Sequence, residues 1–199
     1  MTKDTLHELL VEQLRDMYDA EKQLVKALPK MAKNAESEDL ADAFRSHLGE
    51  TETQVTRLEE AFGIMGIPAK GKSCKAMKGL LEEGNEAMKE DEKGEMRDLA
   101  MIAAAQRVEH YEISAYGTAR TLAEQLELDE VAELLQQTED EEKQADEKLT
   151  ECAVAIYDTA EDEDESEEEG EEDEEQADMP APAPARGRAS AGGKTRTAR

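Results

Sequence analysis

The sequence has few of the residues that build sheets, disulfide frameworks or membrane spans. Only 3% of its 199 residues are aromatic and tryptophan is absent, so the apolar bulk comes from aliphatic residues that suit helix packing. The two cysteines, Cys74 and Cys152, are far apart, which argues against a disulfide framework. No apolar run reaches the roughly 18 residues of a membrane helix. We therefore predict a helical protein of the reducing cytoplasm with no membrane partner.

Negative charge is in large excess. The formal net charge is −27 at pH 7, and a surface of that sign repels the phosphates of nucleic acids and of anionic membranes. This argues against general binding to either. An acidic surface is also typical of a high-salt cytoplasm, which is an alternative explanation for the charge. The N-terminal residues lack the apolar core of a signal peptide, in keeping with a cytoplasmic location.

Apolar residues recur at helical spacing in four long segments. The spacing predicts four long helices, and Pro29 inside the first of them predicts a kink. Glycine and proline then interrupt the chain over residues 66–94, where a short helix is predicted over 74–88. A connection this long predicts a crossover four-helix bundle. The four long helices are predicted over about 5–35, 38–65, 95–126 and 129–157.

The composition changes at residue 158. The run from Glu161 to Glu175 is nearly all acidic and repels itself, and it is followed by a Pro/Ala segment over 180–184 and a basic end over 186–199. None of this can bury a core. We therefore predict a bundle over residues 1–157 and a disordered tail over 158–199. The tail either keeps the protein soluble, or its basic end contacts the acidic run or an acidic partner that the sequence does not identify.

Each long helix carries a glutamate near its midpoint, on or beside the apolar face. At about 1.5 Å per residue such helices span roughly 40 Å, so the midpoints of neighbouring helices lie at one level. Four carboxylates in one layer cannot all stay ionised without a cation, and two divalent ions balance four of them. Oxygen ligands with some imidazole suit iron or manganese. The four glutamates are Glu21, Glu50, Glu109 and Glu142.

Two further residues lie one helical turn from these glutamates. His47 precedes Glu50 by three residues, and Glu112 follows Glu109 by three, so each pair shares a helix face. Taken singly, Glu50 is also compatible with a flanking side chain that extends to solvent, and His47 with a packed, hydrogen-bonded histidine. The coincidence of four helices at one level favours the metal hypothesis for the set.

Five segments of the chain match a known sequence pattern. They are Tyr18-Asp-Ala-Glu-Lys-Gln-Leu-Val-Lys-Ala-Leu-Pro-Lys-Met31, His47-Leu-Gly-Glu-Thr51, Gly71-Lys-Ser-Cys-Lys-Ala-Met77, Ala104-Ala-Gln-Arg-Val-Glu-His-Tyr-Glu112 and Asp140-Glu-Glu-Lys143. These segments resemble the YciE/YciF-type ferritin-like proteins, and the resemblance covers nearly all of residues 4–157. It implies a crossover four-helix bundle that forms a homodimer, a ferritin- or rubrerythrin-like position for two metal ions, and a part in bacterial stress responses.

The chain departs from the usual ferritin-like pattern of Glu-x-x-His on the second and fourth long helices. Glu50 is followed three residues later by Thr53, and Glu142 by Ala145, while His47 precedes its glutamate. The candidate ligands are Glu21, His47, Glu50, Glu109, Glu112 and Glu142.

Two functions remain open at this point. The first is a protein that binds two iron or manganese ions and reacts with oxygen or peroxide. In this first case Glu21 and Glu112 are terminal ligands, and the bridging ligand is Glu50, Glu109 or Glu142. His47 completes the coordination of one ion. The second is a stress-induced helical dimer whose metal site is weak or vestigial. The sequence does not decide whether the protein is an enzyme.

Overall fold

The computed structural model describes residues 2–89 and 94–177, with side chains up to Thr159. These residues form helices and no strand, as predicted. Four long helices make the bundle, and the short α3 lies in the crossover between α2 and α4. Apart from the end of α5, the predicted bounds hold to within two residues. The helices are α1 (Lys3–Asn34), α2 (Glu38–Ile64), α3 (Lys75–Ala87), α4 (Glu95–Gln125) and α5 (Asp129–Ala177).

Side chains cap the first three helices. Ser37 caps α2 by accepting a hydrogen bond from the backbone N–H of Leu40 at 3.4 Å. Thr2 caps α1 in the same way, and the thiol of Cys74 caps α3. Such caps pair backbone N–H groups that have no partner in the helix, and each typically contributes about 1 kcal/mol. α1 continues through Pro29 to Asn34.

The start of α4 holds the turn between α1 and α2. The buried carboxylate of Asp98 accepts hydrogen bonds from the backbone N–H groups of Glu36 and Ser37, at 3.0 and 2.7 Å. Arg97 donates to the carbonyl oxygen of Asn34 at 3.0 Å. The sequence pattern did not predict this anchor, which fixes α4 relative to both earlier helices.

The core consists of two apolar clusters separated along the bundle. One contains Leu24, Phe44, Met101 and Leu149, and the other contains Leu10, Leu14, Leu58, Phe62 and Leu135. α1, α2 and α4 pass from one cluster to the other near their midpoints, and α5 does so between Leu135 and Leu149. Burying each large apolar side chain contributes about 1.5–3 kcal/mol, which offsets the cost of placing polar groups between the clusters.

α5 extends beyond residue 157, where the sequence predicts its end, and continues to Ala177. Glutamate is a good helix former and no proline occurs before Pro180, so the acidic run satisfies local helix preference despite its repulsion. The predicted disorder of residues 178–199 lies outside the described residues. The helices up to Thr159 form one compact unit. No helix in the described ranges is long and apolar enough to cross a membrane.

Candidate metal centre

Five of the six predicted ligands lie in the layer between the two apolar clusters. They come from all four long helices: Glu21 from α1, His47 from α2, Glu109 and Glu112 from α4, and Glu142 from α5. None of the five is more than 6% exposed. Their helical spacing places them inward, and the apolar residues on either side keep that face buried.

Four of these residues form a compact tetrad. His47, Glu109, Glu112 and Glu142 each offer one ligand atom such that all four atoms lie within 4.8 Å of one another. The Nε2 atom of His47 is 3.5 Å from Oε2 of Glu109 and 3.7 Å from Oε2 of Glu142. One imidazole nitrogen and three carboxylates around a common point are a donor set suited to a divalent cation.

Most of the polar atoms in this layer lack hydrogen-bond partners among the described residues. Both oxygens of Glu112, both oxygens of Glu142 and Oε2 of Glu109 have none, and neither do Nε2 of His47 and Oε2 of Glu21. An unpaired buried polar group costs about 1–3 kcal/mol, and more when it is charged. The layer is therefore unfavourable unless it takes up protons or cations.

Glu21 is adjacent to the tetrad but not part of it. The hydroxyl of Tyr116 donates a short hydrogen bond to Oε1 of Glu21, which leaves Oε2 free to bind another group. Glu21 is fully buried, and it is close enough to the tetrad that the charge of His47 lowers its pKa and the charge of Glu109 raises it. It is thus a candidate ligand for a second cation beside the tetrad.

Glu50 is placed differently from the other predicted ligands. Its side chain is 46% exposed, and Oε2 lies 3.3 Å from Nδ1 of His47. A carboxylate on that nitrogen holds the imidazole ring so that Nε2 faces Glu109 and Glu142. The structure therefore places Glu50 behind the imidazole, outside the converging atoms. Its predicted role as a ligand stays a prediction.

Burial and mutual repulsion favour the protonated carboxyls in this layer. Burial raises the pKa values of Glu112 and Glu142 well above their ordinary values, and the charge of Glu21 raises them further. Burial raises the pKa of Glu21 to about 7, although the Tyr116 hydrogen bond opposes the shift. Burial alone lowers the pKa of His47, but Glu109 and Glu50 outweigh it and raise that pKa to about 9. The layer therefore holds protons near neutral pH when no cation is bound.

A second polar network lies next to the layer. The Arg57 guanidinium makes a bidentate ion pair with Glu141, with N–O distances of 2.8 and 2.9 Å, and donates to Oγ1 of Thr138 at 2.7 Å. The amide of the fully buried Gln54 donates to Glu141 at 3.1 Å. The sequence pattern did not predict this network, because pairing across helices leaves no periodic signal.

Comparisons with known proteins agree with this fold. A family model described as "Domain of unknown function (DUF892)" matches residues 5–161. Protein YciF of Escherichia coli K12 is 46% identical over 155 residues, which are 77% of this chain and 93% of that protein. The crystal structure of the E. coli stress protein YciF superposes with a TM-score of 0.75 at 45% identity, covering 77% of this chain and 97% of that one.

Two other solved structures are similar. A protein of Rhodopseudomonas palustris, described as a putative structural protein, has a TM-score of 0.71 at 42% identity and covers 73% of this chain and 92% of its own. A Xanthomonas campestris protein at 21% identity, with a TM-score of 0.61 over 80% and 99% of the two chains, supports the fold alone. The chain therefore belongs to the DUF892 family and is a homologue of YciF, as its resemblance to YciF-type proteins indicated.

Proposed function

We propose that this protein binds two divalent cations, iron or manganese, in the buried layer and uses them to react with oxygen or peroxide during stress. The observation that carries the proposal is the set of buried carboxylate oxygens without hydrogen-bond partners. Glu21, Glu109, Glu112 and Glu142 carry four negative charges when ionised, which two divalent ions balance. A cation removes at once the cost of unpaired oxygens and that of like charges in contact.

The donor set fits this assignment. The tetrad of His47, Glu109, Glu112 and Glu142 would hold one ion. Glu21, with carboxylates shared from the tetrad, would hold the second. Bound iron or manganese supplies one-electron redox chemistry that no side chain in the layer provides.

The protein's own residues prepare the layer for ligation. Nδ1–H of His47 donates a hydrogen bond to Glu50, so the neutral form of the imidazole presents the lone pair of Nε2 that a metal needs. The Tyr116 hydroxyl holds one oxygen of Glu21 and so directs the other. The apolar clusters above and below keep bulk water from the carboxylates, which strengthens any charge interaction between them.

The stress role comes from the homologue. E. coli YciF is described as a stress protein, and this chain covers 93% of its length. A redox-active centre in a stress-related helical bundle is consistent with the disposal of oxygen or peroxide.

Metal analysis tests the proposal. The protein is purified without chelator from cells supplied with iron and manganese, and its metal content is measured by mass spectrometry. About two equivalents per chain are expected, and less than one would count against the proposal. Glu112→Gln should lose metal because it removes a buried charge of the tetrad. Glu52→Gln, which removes an exposed glutamate of α2, is the matched control and should keep it.

A second candidate is a stress-induced helical dimer with a structural role. Two observations favour it. The R. palustris relative is described as a putative structural protein, and Nε2 of His47 lies 3.5 and 3.7 Å from carboxylate oxygens of Glu109 and Glu142, so a protonated imidazole balances part of their charge. In that case the buried layer is balanced by protons alone. The homodimer itself is a proposal for both functions. Light scattering during gel filtration tests it, with twice the chain mass expected and a single-chain mass contradicting it.

A further inference from the structure

A cleft of about 540 Å³ opens between α2 and α5 and reaches the tetrad. His47 and Glu109 line it, together with Glu50. Two other cavities, one beside α3 and one on the outer face of α4, are lined by none of the candidate ligands. The cleft is therefore a route from solvent to the carboxylates.

The exposure of the buried side chains points to the same side. His47 and Glu109 keep 6% and 3% of their surface accessible, whereas Glu21 and Glu142 keep 0%. Both accessible residues line the cleft. Among the buried residues, a cation that enters through the cleft therefore meets Glu109 and His47 first, and the other carboxylates after them.

The rim of the cleft is acidic and its walls are apolar. Asp39, Asp42 and Glu50 line the cleft together with a single lysine, Lys148, which is itself paired with Glu151 at 3.1 Å. Asp42 is paired with Arg45, so Asp39 and Glu50 supply most of the negative charge. The walls are Phe44, Ala145 and Leu149. Low-dielectric walls around charges of one sign focus the field and raise the local concentration of ions of opposite sign. The cleft thus favours cations over anions.

Glu50 occupies the position between solvent and the tetrad. Its carboxylate is half-exposed, and among the residues whose side chains the structure describes its hydrogen-bond partner is His47, at the long distance of 3.3 Å. The contact uses Oε2, so Oε1 remains to bind a cation while Oε2 continues to face His47.

We infer that divalent cations reach the buried carboxylates through the α2–α5 cleft and that Glu50 is the transit ligand that binds them at the rim. The inference rests on the proposed function, because it concerns access to that same metal centre. It assigns Glu50 to the rate of loading and not to the amount of metal held at equilibrium. That separates Glu50 from the five buried residues.

The rate of Co²⁺ uptake tests this inference. Metal-free protein is mixed with excess Co²⁺ in a stopped-flow instrument, and the absorption of protein-bound cobalt is followed to its plateau. Glu50→Gln removes the charge but keeps an amide oxygen that can accept the hydrogen bond from Nδ1–H of His47, so the imidazole stays oriented. This variant should slow uptake by about tenfold, the low end of electrostatic focusing effects, with an unchanged plateau. Ala145→Phe should slow it by filling the cleft, and Ser46→Tyr at the exposed rim serves if that variant does not fold. Glu52→Gln should match the wild type.

The outcomes separate the two proposals. If Glu50→Gln and the folded cleft variant both take up Co²⁺ at the wild-type rate, the access route is overturned, while the proposed metal centre is unaffected. A lower plateau in Glu50→Gln overturns the transit role, because Glu50 is then a resident ligand. No Co²⁺ binding by the wild type contradicts the proposed function itself. Slower uptake with an equal plateau supports the route.

Discussion

The pH dependence of stability distinguishes a proton-balanced layer from a metal-balanced one. In metal-free protein, the pKa of Glu21 is about 7 when folded, against 4.5 as its ordinary value. A carboxyl whose folded pKa is raised contributes stability below pH 4.5 and loses it as the pH rises through 7. His47 acts in the same direction, because its pKa rises from 6.5 to about 9 and its contribution is lost above pH 6.5. We therefore expect metal-free protein to lose stability between pH 5 and pH 8.

The expected size follows from the shift at Glu21. One pKa unit corresponds to about 1.4 kcal/mol, so the shift from 4.5 to about 7 corresponds to about 3 kcal/mol of unfolding free energy. For a chain of this length 1 kcal/mol moves the melting temperature by roughly 2–4 °C. Metal-free protein should thus melt on the order of 10 °C lower at pH 8 than at pH 5. Bound cations replace the protons, so stabilisation by metal should grow over the same interval.

Metal is removed with a chelator, and the chelator is then removed. Calorimetry or circular dichroism measures the melting temperature of the metal-free protein at several pH values. Glu21→Gln keeps an acceptor for Tyr116 but has no titrating carboxyl, so its pH dependence should be flatter and its metal-free form more stable than wild type at pH 8. Glu52→Gln controls for the loss of one charge and should keep the wild-type slope. A metal-free protein that is equally stable at pH 5 and pH 8, or a Glu21→Gln slope equal to that of the wild type, would refute the reasoning.

Three further predictions concern the same fold and layer. Asp98→Ala should lower stability by about 1–3 kcal/mol in urea unfolding, because it removes the buried carboxylate that accepts from the backbone N–H groups of Glu36 and Ser37. A loss below about 0.5 kcal/mol would contradict the anchor. Phe62→Ala, at a fully buried site, should cost about 3–5 kcal/mol by the same assay, and a neutral effect would contradict the packing. Glu21→Ala combined with Glu109→Ala should abolish the rise in melting temperature on adding metal. In the wild type this rise corresponds to about 3–4 kcal/mol of unfolding free energy when the free metal concentration is roughly 100 to 1,000 times the dissociation constant. An undiminished rise would exclude both residues as ligands.

Much of the fold was predictable because helix signals are local. Residues such as Leu24 and Leu28, or Leu58 and Phe62, recur three or four positions apart, and this repeat alone gives the inward face of each helix. The crossover followed from the length of the segment between α2 and α4. The end of α5 was not predictable in the same way, since charge repulsion and the helix preference of glutamate oppose each other over residues 158–177.

The candidate site was predictable in its residue types but not in its pairings. Glu21, Glu109 and Glu142 interrupt apolar stripes near helix midpoints, which requires only one-dimensional spacing. Glu50 lies on a stripe edge, where a rotation of a few degrees decides between the layer and solvent, and the structure places it half-exposed. The hydrogen bond from Tyr116 to Glu21 joins α4 to α1, and no local pattern encodes which residues meet across helices.

Anomalous diffraction from crystals grown with Mn²⁺ tests the central claim most directly. We predict two manganese peaks in the layer between the apolar clusters, one bonded within the tetrad of His47, Glu109, Glu112 and Glu142, and one bonded to Glu21. Crystals saturated with Mn²⁺ that show no peak in contact with these side chains would contradict the account.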